Sequence, residues 1–176
     1  DMCGIAGFID LNQTSSLPLL KGMTDALQHR GPDANGFEFI QTARYQLGLG
    51  HRRLSVIDLS ETGRQPMQFE HLQITYNGEI YNYSEIKKEL LALDHHFNGE
   101  SDTEVILHAF AQWGIDCVQK FTGMFAFVIY DAHKEELYCV RDRAGVKPFF
   151  YYWKDGLFLF ASELKSFHQH SGFKKE

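Results

Sequence analysis

The apolar positions of this chain change period as it runs. Residues 3–9 form a nearly continuous apolar run punctuated by Gly4 and Gly7, the pattern of a buried strand. Residues 17–28 instead place Leu19, Leu20, Met23 and Leu27 near one helical face, with Ser16 suited to cap and Pro18 to the first turn. Gly31-Pro32 and Asn35-Gly36 then break regularity over 29–36, which predicts a loop. Alternation over 37–40, 45–51 and 72–76 predicts paired strands, separated at 60–66 by a polar connection containing Gly63. A second helix is expected over 84–93, with Ile86, Leu90 and Leu93 on one stripe. A third opens at Ser101-Asp102-Thr103-Glu104, a capping-box pattern, and runs through Val105, Ile106, Ala109, Phe110 and Trp113 to a stop at Gly114.

Four further strand-like runs follow, at 124–130, 136–140, 149–153 and 157–161. Asp131-Ala132-His133-Lys134 and Lys154-Asp155-Gly156 supply hairpin turns between them. Moderate helices among many antiparallel-looking strands predict an α+β layered fold with two sheets. The chain shows no internal repeat and no linker-like stretch, so 176 residues are expected to form one domain.

Composition narrows the class. Aromatic residues reach 14%, including 15 Phe and 8 Tyr, which favours a strand-rich core. Seventeen basic against 23 acidic residues give −6, with no basic cluster before Lys174-Lys175, which argues against a nucleic-acid surface. No apolar run approaches the roughly 18 residues of a membrane span, and no signal peptide precedes the first strand. The cytoplasm is the expected compartment. Cys3, Cys117 and Cys139 are odd in number and widely spaced, so neither a disulfide framework nor a zinc site is expected. His95-His96 and His168-x-His170 sit in polar stretches without a carboxylate-histidine pattern and read as solvated surface, so no metal site is expected. Cys117 and Cys139 read as core packing.

Cys3 is different. A cysteine that becomes residue one carries a thiol and a free α-amine together. The thiolate is the attacking species, and an α-amine of pKa about 7.7–8.0 is matched to removing the thiol proton near neutral pH. The competing reading is a small buried residue opening a strand.

The rest of the chain decides between these through six words: Cys3-Gly4-Ile5, His29-Arg30-Gly31-Pro32-Asp33, Gly50-His51-Arg52-Arg53-Leu54-Ser55, Asn77-Gly78-Glu79-Ile80-Tyr81-Asn82, Ser101-Asp102-Thr103-Glu104 and Arg141-Asp142-Arg143-Ala144-Gly145-Val146-Lys147-Pro148. In this order they closely resemble the glutaminase domain of glutamine-hydrolysing asparagine synthetases. These are class II glutamine amidotransferases, a branch of the N-terminal nucleophile hydrolases. The resemblance covers residues 3–165, leaving 166–176 as a C-terminal tail toward a synthetase domain. It implies a four-layer α-β-β-α sandwich of two antiparallel sheets.

Roles follow from the resemblance. Cys3 is the nucleophile, and Asn77 and Gly78 form the oxyanion hole, where preorganised donors are needed. Asn-Gly by itself is also the strongest short signal for a hairpin turn. Arg53 is matched to the substrate carboxylate, which a guanidinium grips through a planar fork. Arg52, on the opposite strand face, reads as a solvent-facing charge or a partner for a nearby acid. Glu79 and Asp102 are the candidates for the substrate ammonium, although Asp102 could equally serve the helix cap. His29 or His51 would be the base in an ordinary Cys-His hydrolase; the resemblance favours the α-amine and gives the His29–Asp33 loop a supporting role. Arg141-Asp142 with Gly145 and Lys147-Pro148 is expected to form a buried ion-pair turn bracing the sheet.

Asp1 and Met2 precede Cys3. Met2 reads as the initiator, Asp1 as a remnant of recombinant expression, and turnover is expected only once both are gone. The family continues into a synthetase domain whose Ser-Gly-Gly-x-Asp-Ser ATP-pyrophosphatase loop has no counterpart in this sequence. The expected partners are therefore L-glutamine and a synthetase domain or subunit that receives ammonia. No cofactor is expected in this chain, with ATP and Mg confined to the synthetase part. Aspartate is the expected acceptor, with a sugar acceptor as the alternative, and a homodimer is left open. A catalytically silent domain docked on a synthetase is the competing function.

Overall fold

The computed structural model describes residues 3–54 and 61–175. Asp1, Met2, Ser55, Ser60 and Glu176 lie outside the described residues. The chain divides into two compact units, one of Asp1–Val56 with Pro148–Glu176 and the other of Ile57–Lys147. The first is built from both ends of the chain, so the division is not that of two domains strung on a linker.

The first unit contains β1 (Gly4–Asp10), α1 (Leu17–Asp25), β2 (Ala34–Gln41), β3 (Gln46–Arg53), β8 (Phe150–Lys154) and β9 (Leu157–Ala161). The strands form an antiparallel sheet of order β2-β3-β1-β9-β8, with β1 at its centre. Ala6 and Phe8 of β1 pack with Leu20 and Met23 of α1, Leu27, Leu159 and Phe167 into a buried cluster on one face. Ser16 caps α1, its hydroxyl accepting from Leu19 N, and Pro18 lies in the first turn as expected. The helix stops at Asp25, short of the predicted residue 28, because 26–31 tighten into successive turns. The strand β2 starts at Ala34, so Asn35-Gly36 is strand rather than loop, paired with Arg52 and His51.

The segment read as a tail is packed. Leu164–Gln169 is a 3-10 turn, and Ser166, Phe167 and His170 are buried. Gly172 N donates to His170 Nδ1, which leaves the ring proton on Nε2, 2.7 Å from Ser15 Oγ; that hydroxyl lies 2.6 Å from Asp10 Oδ2. His170 is therefore not solvated surface, and burial pulls its pKa down.

The second unit contains β4 (Met67–Phe69), β5 (Leu72–Ile80), α2 (Tyr83–Ala92), α3 (Asp102–Trp113), β6 (Gly123–Asp131) and β7 (Glu136–Arg141). Its antiparallel sheet runs β4-β5-β6-β7. Leu72, Ile74, Tyr76 and Ile80 face the buried side chains of α2 and α3, so Gln73, Thr75, Asn77 and Glu79 alternate onto the other face. Leu93 lies beyond α2 and is exposed, not part of its apolar stripe. The capping box forms by half: Glu104 N donates to Ser101 Oγ, but the Glu104 carboxylate turns to the amides of Asn98 and Gly99. Gly114 ends α3 at φ +67. His108 of α3 is buried and stacked on Phe69 at 3.9 Å, and burial lowers its pKa to about 4. His95 is half-buried against it, Nδ1 to Nδ1 at 2.8 Å. Cys117 is core, and burial pushes its thiol up to about 12; Cys139, expected in the core, is exposed on β7.

In the turn after β7 the Arg141 charge acts on a buried Asp142 as expected, and backbone groups supply the hydrogen bonds of both side chains. Asp142 accepts hydrogen bonds from the backbone N–H groups of Phe125, Val146 and Lys147, while Arg141 donates to the carbonyls of Lys147 and Gly145. Burial would raise the Asp142 pKa, but those three amides and the Arg141 charge outweigh it and hold the carboxyl below its ordinary 3.8. Stability from Asp142 is thus present above pH 3.8 and lost as pH falls through the depressed native value. Asp142→Asn should lower stability at pH 7 by about 2–4 kcal/mol, roughly 5–15 °C in melting temperature. It should also flatten the decline in stability that sets in as pH falls below the ordinary 3.8. Melting curves across that decline check both, and an unchanged slope would contradict the assignment.

Candidate active site

Cys3 stands at the head of the central strand of the first unit. Gly4 pairs with Arg52, and continuing that register by one pair sets Cys3 opposite Arg53. Side chains directly opposite share a face, with Cβ atoms about 4.5–5.5 Å apart. That face is turned away from α1. A Cβ at Gly4 would meet Leu27 and Arg30, and one at Gly50 would meet Thr24, so the intervening positions point the other way. Arg52 falls on the helical side. It is 5% exposed, donates to Gly31 O at 3.0 Å and pairs with Asp25 at 3.4 Å, so of its two expected roles the acid partner is the one observed. The strand pattern and the loop agree: a side chain at Gly31 would strike the Arg52 backbone at 2.5 Å, so only glycine lets the His29–Asp33 loop close on the end of β3.

That loop also holds Cys3 itself. Arg30 Nε donates to Cys3 O at 3.0 Å, and Arg30 Nη1 donates to Glu163 Oε2 at 3.2 Å. His29 Nε2 lies 2.7 Å from the same oxygen, and Lys165 Nζ lies 3.1 Å from His29 Nδ1. With Lys165 donating to Nδ1, the His29 proton sits on Nε2 and both ring nitrogens are engaged. His51 is buried.

In the second unit, Asn77 and Gly78 are not a hairpin turn. Both lie inside β5, opposite Ala126 and Phe125 of β6. The amides of Tyr76 and Ile80 point away from β6: Tyr76 N donates to Gln65 Oε1 at 2.6 Å and Ile80 N to Asp102 Oδ2 at 3.1 Å. Gly78, midway between them, turns its N–H to the same side, because Phe125 opposite it has both N and O committed to Asp142. Among the described residues no acceptor meets the Gly78 N–H. Its φ is +150, and a Cβ there would sit 2.2 Å from Met124 O, so the position admits only glycine.

The Asn77 side chain is 2% exposed, and its Nδ2 has no hydrogen-bond partner among the described residues. A buried unpaired amide costs about 1–3 kcal/mol, so an orphan donor beside a second open donor marks a place where an acceptor belongs. Glu79 is exposed on the same strand face as Asn77. Asp102 is the first residue of α3, and its Oδ2 takes the Tyr76 hydroxyl at 2.7 Å as well as Ile80 N. Burial pushes its pKa above the ordinary 3.8, with those hydrogen bonds only partly opposing. Gln65, unremarked in the sequence, anchors the same edge and lies 3.3 Å from Thr103 Oγ1; its only signal was a polar residue before Pro66. No group of three or more His, Cys, Asp or Glu among the described residues is arranged to hold a metal ion.

A family model described as a glutamine amidotransferase domain matches residues 2–176. A putative glutamine-hydrolysing asparagine synthetase 2 of Methanocaldococcus jannaschii is 43% identical over 93% of this chain and 34% of its own length. Glutamine-hydrolysing asparagine synthetase 3 of Bacillus subtilis is 41% identical over 98% of this chain and 28% of its own. The chain thus spans about a third or less of these relatives. A solved glutamine phosphoribosylpyrophosphate amidotransferase from B. subtilis, complexed with ADP and GMP, matches 94% of this chain and 43% of its own at TM-score 0.77 and 22% identity, which shows the shared fold.

The strand-edge geometry makes its own forecast. In amide hydrogen exchange without ligand, Tyr76 and Ile80 should be protected and Gly78 should exchange at least about tenfold faster than either, as an unpaired amide between two paired ones. Equal protection at all three would show that Gly78 is paired.

Proposed function

Because this chain belongs to the glutamine amidotransferase domain family, we propose that it hydrolyses the side-chain amide of glutamine and delivers ammonia to an ATP-dependent synthetase. The observation that carries this reading is the pair of donors on β5, Asn77 Nδ2 and Gly78 N–H, that no described residue claims. A tetrahedral oxyanion is the acceptor they fit.

The steps balance on this chain's own groups. With Cys3 as residue one, its α-amine takes the thiol proton as Sγ attacks the amide carbon of glutamine. Asn77 and Gly78 donate to the oxygen as it becomes negative. The proton on the α-amine passes to the amide nitrogen, the C–N bond breaks, ammonia leaves, and a γ-glutamyl thioester remains. Water, losing a proton to the same amine, attacks the thioester. The C–S bond breaks, glutamate is released, and the thiol regains its proton.

Arg53 binds the substrate carboxylate. Glu79 and Asp102 bind its ammonium; that cation beside Asp102 favours the ionised carboxylate against the upward pull of burial. His29 is not the base in this reading, since both of its ring nitrogens are already engaged. No metal or cofactor is needed for these steps. The acceptor of the ammonia is aspartate, aminated in a synthetase part that uses ATP and Mg, and the setting is the cytoplasm. The names of the asparagine synthetase relatives support that assignment, and among the described residues no helix is long and apolar enough to cross a membrane.

A glutamine-mimicking diazo-ketone should add once, at Cys3, to protein that begins at Cys3, as read by intact mass and peptide mapping. Protein retaining Asp1-Met2 should stay unmodified and inactive, because an amide nitrogen cannot serve as the base. Asn77→Ala should lower kcat for glutaminase about 10²–10³-fold while KM moves little. No adduct on protein beginning at Cys3 would leave the silent docking domain as the better reading.

A further inference from the structure

The geometry points to Glu163 as a positioning residue for the nucleophile, an inference that rests on the proposed glutaminase reading. An N-terminal nucleophile has no preceding peptide to hold it. Its thiol and amine are oriented only from the carbonyl side, by whatever fixes the Cys3 C=O and the strand that follows.

The strand β9 is the neighbour that could do this, but its ladder with β1 ends at Ala6 opposite Ala161. The next two residues take over with side chains. Ser162, fully buried, closes on Ile5 from both sides: Ser162 N donates to Ile5 O at 2.9 Å, and Ile5 N donates to Ser162 Oγ at 3.0 Å. Glu163 reaches one step further. Its Oε2 takes Arg30 Nη1 at 3.2 Å, and Arg30 Nε is the donor to Cys3 O at 3.0 Å. The same oxygen takes His29 Nε2, and Lys165 lies 3.8 Å from Oε1. The burial that would raise the Glu163 pKa is outweighed by His29 and Arg30, so the carboxylate stays ionised. Arg30 is a long, entropically mobile side chain. Glu163 restricts it to the rotamer whose Nε meets the Cys3 carbonyl, and His29 and Lys165 restrict Glu163 in turn.

The test uses full-length protein beginning at Cys3. Glu163→Gln keeps the shape and removes the charge, and Glu163→Asp keeps the charge and shortens the reach. Both should melt within about 4 °C of wild type, as partly exposed ion pairs contribute little to stability. Both should show KM for glutamine within about twofold of wild type but kcat, and the rate of diazo-ketone addition at Cys3, lowered about 10- to 100-fold. Glu163→Gln should cost nothing further in an Arg30→Ala background, because the two act through one contact. Wild-type kcat in both Glu163 variants, or losses that multiply with Arg30→Ala, would overturn the positioning role while leaving the glutaminase reading standing. Absence of both turnover and adduct in the wild-type protein would overturn that reading and this inference with it.

Discussion

The interaction on which the second unit depends is the grip of Asp142 on Phe125. Where the β6–β7 ladder ends, at Ala126 opposite Arg141, the Asp142 backbone N–H takes Phe125 O and its carboxylate takes Phe125 N. This commits Phe125 away from β5 and fixes the phase of the β5–β6 ladder. Gly78 therefore meets Phe125 as a non-hydrogen-bonded pair and keeps its N–H. A slip of one residue would feed that amide into the ladder and turn Asn77 toward the helical core. Two open donors at Asn77–Gly78 are the consequence of a register, and the register is held by a carboxylate beyond them in the sequence.

The edge on which Gly78 opens is otherwise closed by side chains. The strand β4 pairs with β5 only as far as Ile74; beyond it Gln65 takes the Tyr76 amide and Asp102 takes that of Ile80. Asp102 thus has structural work before any substrate arrives: it starts α3 beside the Ser101 cap and ties that helix to β5. The two readings of Asp102, as a helix-end residue and as a ligand for an ammonium, describe one carboxylate whose geometry is set by the fold. Its raised pKa follows from burial, and a cation is the natural counterweight. The first unit solves a different problem. Its central strand begins beside Cys3, the candidate nucleophile, and glycines at 4, 31 and 50 let α1 and the His29–Asp33 loop close on that end without side-chain collisions.

Much of this was legible in the chain. The α1 cap, the Gly114 stop and the four strands from 123 to 161 follow from periodicity and cap chemistry, which act within a few residues. The family was legible because six short words occur in order. Local rules misled at Asn35-Gly36, where a turn signal sits inside a strand, and the same signal at Asn77-Gly78, passed over for the family match, also sits inside one: strand pairing outweighs a turn preference. They misled again at His170, His95 and Cys139, where composition around a residue says nothing of the element that packs on it.

The sequence by itself determined most of the elements, the α+β class, the family and the identity of the candidate nucleophile. These depend on residue type and spacing along the chain, which short-range sterics and hydrogen bonding translate directly. Only the tertiary structure decided that Arg53 rather than Arg52 shares a strand face with Cys3, and that no described residue accepts from Asn77 Nδ2 or Gly78 N–H. It also decided that Glu163, distant in sequence, reaches the Cys3 carbonyl through Arg30. Each of these turns on ladder register and on which group is left over once neighbouring strands have paired. That is a property of strands brought together from distant parts of the chain, so no local window could contain it.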